Sequence, residues 1–299
     1  MRGNSVASAG FITREPLKGR MAPRMVVRRS WRLAAPADQL LDAVQDAVEA
    51  EVECVIYVFG DTITSLVETG DGIRVEFANA AARTVDIVIG ADGIHSTVRQ
   101  LAFHPETDCV RHLGYYIAGW SLSNTRGVDR VAHSYNVPGR AAIVAADGRD
   151  PGRAEAQVVF ASPPVELGWW DVAAQKRLVT ERFADLGWHV PWLLAGLADA
   201  DELYFDAISR VRMPSWHTGR AVLLGDAAWG VTLGGMGVGT GVVGAYVLAG
   251  ELAMAGGDHH TAFPAYERRM RAYAGRWQRG ASPGKFLAPA TAAGLWTRN

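Results

Sequence analysis

The stretch AVLLGDAAWGVTLGGMGVGTG, residues 221–241, decides how this chain is read. Four apolar residues, Ala221 to Leu224, predict a buried strand. Gly225, Asp226 and Ala227 follow at its end, and Gly234, Gly235, Met236 and Gly237 lead into a helix predicted over 238–252. A strand, a carboxylate, a glycine-rich turn and a helix together seat a large ligand that carries phosphates or hydroxyls. Glycine lets backbone N–H groups come close to such a ligand, and a helix N-terminus presents positive potential to it. The Asp226 carboxylate accepts hydrogen bonds from sugar-like hydroxyls.

A second segment of the same kind lies upstream, DIVIGADGIHSTVR at residues 86–99. Val85, Ile87, Val88 and Ile89 predict a strand buried on both faces. Gly90 to Gly93 forms a turn carrying Asp92 and Gly93, and Ser96 is placed to cap a short helix that holds Arg99.

Together the two segments resemble the signature motifs of the flavin monooxygenases of the p-hydroxybenzoate hydroxylase type. Residues 86–99 are similar to that family's DG motif. Residues 225–252, with the tail VGAYVLAGEL, are similar to its GD motif. Between them, RHLGYY (111–116) and YNVPGR (135–140) resemble the small bacterial hydroxylases related to tetracycline-modifying enzymes. The resemblance implies an α/β fold, with an incomplete FAD-binding, Rossmann-like lobe and an inserted antiparallel-sheet substrate lobe. It implies FAD as cofactor, NAD(P)H as co-substrate, and O2 and an aromatic or polyketide-like small molecule as partners. By the same resemblance Asp226 binds the ribityl chain, and Gly235, Met236 and Gly237 face the pyrimidine edge of the flavin. Asp92 has two readings, a residue near the pyrophosphate that takes part in NAD(P)H use, or a turn aspartate. Arg99 either meets phosphate or pairs with Asp86 or Asp92. In this family the flavin carries the chemistry and the protein supplies binding, orientation and a dry pocket, so no catalytic acid or base is named.

The chain departs from the family pattern in three places. No strand, G-x-G-x-x-G turn and helix precede the DG segment, and the first thirty residues read as basic and irregular. Arg29 is the nearest match to the family's flavin-contacting arginine, but the leucines after it are spaced differently. The loop 229–233 lacks the family's proline. The reading is therefore an N-terminally truncated hydroxylase, with a sheet missing a middle strand and unpaired backbone groups on the strands beside the gap. The alternative is a non-catalytic remnant that binds a ligand or partner without FAD. A third reading, a flavin reductase acting on an isoprenoid, fits the tryptophan-rich insert less well.

Composition sets the remaining bounds. The 299 residues are 49% hydrophobic and 20% charged, which fits a soluble globular protein, and a net charge of −1 gives no reason to expect nucleic-acid binding. Cys54 and Cys109 lack metal-site spacing, and so do His95, His112 and His217. The expectation is reduced thiols, no metal and a cytoplasmic location. Residues 236–257 are apolar but glycine-rich, and read as a close-packed helix rather than a membrane span. The predicted divisions are 1–106 for the first part of the cofactor lobe, 107–206 for the substrate lobe and 207–299 for the return to the cofactor lobe. Trp120, Trp169, Trp170, Trp188 and Trp192 suit either a planar substrate or a packed core.

Overall fold

The two apolar runs that precede the glycine turns form neighbouring strands. In the computed structural model, which describes residues 9–17, 20–27 and 55–298 apart from Trp169 and Gly235, β7 (Ile87–Gly90) and β14 (Ala221–Leu223) run parallel. Ile89 lies opposite Val222 and Gly90 opposite Leu223. Val88, Val222 and Leu223 are wholly buried, as expected of strands covered on both faces. Residues 40–48, whose spacing predicts a short amphipathic helix, lie outside the described residues, as do Arg29 and Cys54.

The described part of the first thirty residues, 9–17 and 20–27, corrects the expectation of an irregular segment. β1 (Ala9–Leu17) pairs antiparallel with β7, placing Ala9 opposite Gly90, and β2 (Arg20–Val27) pairs antiparallel with β1. β3 (Val55–Tyr57) then runs parallel to β2. With β13 (His217–Thr218) at the other end, the sheet order is β13–β14–β7–β1–β2–β3. The edge of β7 that was expected to be open is therefore paired, by a strand of opposite direction. Arg14, Glu15, Arg20 and Arg24 interrupt the apolar run by which a strand is recognised, whereas ladder hydrogen bonds need only the backbone.

A three-stranded sheet of β4 (Ile63–Glu68), β5 (Ile73–Phe77) and β6 (Arg83–Val85) precedes β7. Its first turn is closed by the Thr69 N–H on the Gly72 carbonyl at 2.7 Å, at Gly70-Asp71-Gly72, a sequence that reads as a hairpin turn. Two short helices follow β7, α1 (Thr97–Ala102) and α2 (Glu106–Cys109).

The chain forms two compact units. One comprises His112–Ile208 and the residues from Ser282 onward. The other holds the described residues up to Arg111 together with Ser209–Ala281. The divisions thus fall after Arg111, Ile208 and Ala281, where the sequence reading set them after 106 and 206 and none near 281.

The unit containing His112–Ile208 is built on an antiparallel sheet ordered β12–β8–β11–β10–β9, from β8 (Val110–Ser123), β9 (His133–Val137), β10 (Arg140–Ala146), β11 (Arg153–Ala161) and β12 (Tyr204–Val211). Helices α3 (Val172–Phe183), capped by Asp171, and α4 (Val190–Asp199) contribute Val179, Phe183, Leu193 and Leu197 to a core with Trp120, Leu122 and Phe160. A smaller core of Tyr115, Ile117, Val159 and Ile208 includes Leu287 and Ala288, from and just after the short helix Pro283–Leu287. Gly284 lies so close to the Tyr115 ring that an added Cβ would come within 2.4 Å of it.

Candidate cofactor site

Both glycine turns leave the sheet at the same edge, the C-terminal ends of parallel β7 and β14, where α/β sheets place their ligands. The Leu224 N–H still bonds the Gly90 carbonyl at 2.9 Å, so the ladder runs up to the turns themselves. Gly225 then adopts φ +64°, a conformation that suits glycine, and starts α5 (Asp226–Trp229). After a turn at Val231–Gly234 the chain enters α6 (Gly237–Met254).

The Asp226 side chain is exposed and makes no hydrogen bond among the described residues. Desolvation by its surroundings nevertheless raises its carboxyl above the ordinary aspartate range. It faces the start of α6, where a Cβ added to Gly237 would stand 3.5 Å from Oδ1. That helix begins at Met236 without a side-chain cap, which leaves its first N–H groups without the usual acceptor. An unpaired carboxylate beside a bare helix N-terminus offers both an acceptor for hydroxyls and donors for a negatively polarised edge. Ala227 is buried, Met236 is half-buried, and Gly235 lies outside the described residues.

The upstream turn is arranged differently. Asp92 is buried, with Oδ1 accepting from Ser96 Oγ at 2.5 Å and Oδ2 from the Val98 N–H at 2.9 Å. Burial raises its carboxyl in spite of these bonds. Both oxygens are used inside the protein, where they hold the start of α1. Ser96 also caps that helix as predicted, accepting from the Arg99 N–H at 2.9 Å. Gly93 has φ +79° and open space around its missing side chain.

Among the described residues Arg99 forms no hydrogen bond to Asp86 or Asp92 and bonds backbone carbonyls instead. It is fully buried, and its guanidinium donates from Nη1 to the Ala227 carbonyl at 3.0 Å and from Nη2 to the Ile94 carbonyl at 2.6 Å. It therefore ties the upstream turn to α5, the helix that begins with Asp226. A second tie joins α5 to α6, where Trp229 Nε1 donates to Thr240 Oγ1 at 3.1 Å. Neither tie was legible in the sequence, because each joins side chains and carbonyls distant along the chain.

No family model matches the chain. An uncharacterised protein of Mycobacterium tuberculosis is 36% identical over 244 residues, which cover 81% of this chain and 64% of the relative. A flavin-dependent monooxygenase of Legionella longbeachae is 30% identical over 273 residues, covering 91% of this chain and 68% of that one. The crystal structure of tetracycline destructase Tet(55) matches with a TM-score of 0.75 at 33% identity, over 86% of this chain and 69% of that one. The chain belongs to the flavin-dependent monooxygenase family.

The chain spans 64% of the length of its Mycobacterium relative. Its tryptophans divide between core and surface. Trp120 is buried and donates Nε1 to the Leu193 carbonyl at 3.1 Å. Trp188 is partly exposed and stacks on Tyr135, with ring centres 5.6 Å apart, and Trp170 is largely exposed. His95 Nδ1 lies 2.7 Å from Glu106 Oε1, and His112 Nε2 lies 3.0 Å from the Ser162 carbonyl. Among the described residues no group of three metal-ligating side chains comes together.

Proposed function

We propose that this chain binds FAD at the junction of α5 and α6 and acts as an NAD(P)H-using hydroxylase of an aromatic or polyketide-like small molecule, with O2, in the cytoplasm. The observation that carries the reading is the unpaired Asp226 carboxylate beside the uncapped start of α6, at the C-terminal ends of two adjacent parallel strands. These residues fit the group. Asp226 would accept from ribityl hydroxyls, and Met236 and Gly237 would bring backbone N–H groups to the pyrimidine edge. When bound, FAD supplies the redox chemistry that draws electrons from NAD(P)H and oxygen from O2. Asp92, Gly93 and Arg99 act from behind, fixing the upstream turn and the position of α5.

The helix α6 is long and apolar enough to cross a membrane by length and composition. We read it as the site helix because it buries Thr240, Gly244, Leu248 and Glu251, and because Glu251 pairs with Arg269 at 2.8 Å.

One observation favours the second reading, ligand binding without FAD. β1 runs antiparallel to β7, so its C-terminal end points away from the edge that carries Gly90 and Gly225 and gives that edge no third turn. The deciding experiment is the visible spectrum of the purified chain after incubation with FAD and desalting. Flavin bands at near-equal stoichiometry in the parent, lost in Asp226→Ala, are expected for the first reading. A colourless, folded parent overturns it and leaves the second.

A further inference from the structure

Apart from the flavin reading, one part of the surface concentrates positive charge without an answering carboxylate. Arg111 is the second residue of β8, Arg210 is the last but one of β12, and Arg212 follows β12 directly. β8 and β12 are neighbours in their sheet, and the Arg212 N–H bonds the Cys109 carbonyl at 2.7 Å. The three cations are thus gathered on adjacent strands. None forms an ion pair among the described residues, whereas Arg74, Arg140, Arg269 and Arg271 each do.

Arg210 shows most clearly that the cluster lacks a partner. Its Nη2 donates to the Ala281 carbonyl, while its Nε is buried and unpartnered. The backbone holds it firmly, through a bridge to Val231 and the Val211 N–H on the Gly230 carbonyl at 2.8 Å. Burial and the neighbouring charges of Arg212 and Arg111 make its protonated state harder to hold. Like charges on paired strands destabilise a sheet, and an ordinary fold relieves them with a carboxylate.

We propose that Arg111, Arg210 and Arg212 form a binding site for a phosphate-type oxyanion. Guanidinium groups match phosphate in fork geometry and charge. Three of them suit a multiply charged phosphate or pyrophosphate better than a single carboxylate, which would leave two charges unanswered. Arg111 and Arg212 are exposed and so accessible to a ligand, while Arg210 is the anchored member. The phosphate could belong to a dinucleotide or be free in solution, and both sources present the same chemistry.

The test is thermal unfolding of the full chain, without flavin, titrated with inorganic pyrophosphate, NADP+ or benzoate at matched ionic strength. Pyrophosphate at a hundredfold excess over its Kd is expected to raise Tm by about 5 °C. The double variant Arg111→Gln/Arg212→Gln, at two exposed positions, is expected to lose that shift and to bind at least tenfold more weakly. Arg149→Gln, on an exposed turn, should keep it. If NADP+ reproduces the shift and the double variant abolishes it, the dinucleotide is the source. If pyrophosphate alone acts, free phosphate is. No shift, a shift as large in the double variant as in the parent, or a shift matched by benzoate overturns the proposal. None of these outcomes depends on whether FAD is retained.

Discussion

Replacing Arg99 with Met removes a side chain whose hydrogen bonds join the upstream turn to α5, and the size of the effect follows from those bonds. Two charge-assisted bonds to backbone carbonyls, at 2.6 and 3.0 Å, are lost. At about 1.5–3 kcal/mol each this is a gross loss of about 3–6 kcal/mol. Against it stands the relief of no longer burying a guanidinium that forms no ion pair among the described residues, a penalty of several kcal/mol in its own right. The carbonyls of Ile94 and Ala227 remain in place after the substitution, so the loss outweighs the relief. The expected net destabilisation is about 2–4 kcal/mol, and Arg99→Lys, whose compact ammonium reaches one carbonyl at a time, should show roughly half of it. Urea unfolding measures the total. Amide exchange across Asp226–Trp229 locates it, because α5 is the element Arg99 holds. An Arg99→Met midpoint equal to that of the parent, or faster exchange confined to α1, would refute the reasoning.

The Asp226 carboxyl is raised by desolvation, so the folded protein holds that proton more tightly than the unfolded chain. Its contribution to stability is present in acid and lost as pH rises through the raised value. Asp226→Asn should therefore gain stability relative to the parent at pH 7 but not at pH 3, and a difference in Tm that is flat across that range counts against it. Gly244 has Trp229 and Leu224 atoms 2.8 and 2.9 Å from where a Cβ would stand, so Gly244→Val should cost about 1–3 kcal/mol through overpacking, read by denaturant unfolding. Val242 and Tyr246 are 65% and 82% exposed on the outer side of α6, and the pair Val242→Lys/Tyr246→Lys should lower binding of a hydrophobic dye with Tm changed by less than about 2 °C.

Local patterns carried the reading furthest. The strand, turn and helix from Ala221 to Met254 follow from an unbroken apolar run, a glycine that takes a positive φ, and small residues that let α6 lie against Trp229. The Ser96 cap was legible because capping depends on residues three apart. Residues 115–122, 130–136, 141–145 and 156–161 read as antiparallel strands punctuated by Pro138-Gly139 and the turn at 148–152, and correspond to β8, β9, β10 and β11. What escaped depends on partners far along the chain. β1 meets β7, with Ala9 opposite Gly90, through backbone groups that leave no mark in side-chain pattern. The destination of Arg99 is a carbonyl 128 residues away. The docking of Gly284 on Tyr115, which takes the last segment into the antiparallel unit, is equally non-local. Asp92 was legible as a turn residue or a ligand contact, and only the geometry shows both oxygens turned inward.

The pairing of β7 with β14 sets a timetable for synthesis. Gly90 meets Leu223, so the strand holding the first turn has no parallel neighbour until 133 further residues have been made. At roughly 5–20 residues per second, the ribosome takes about 7–27 s to supply it. The sheet of β8 to β12 lies wholly inside that interval and pairs at short range through β9, β10 and β11, so most of it folds while the earlier strands wait. During the wait β7 carries an exposed, apolar, unpaired edge on a nascent chain. Yield of folded protein should therefore depend on how well the cell's chaperones shield residues 85–90, and slowing translation after the β12 codons should reduce that yield more than slowing it before residue 85.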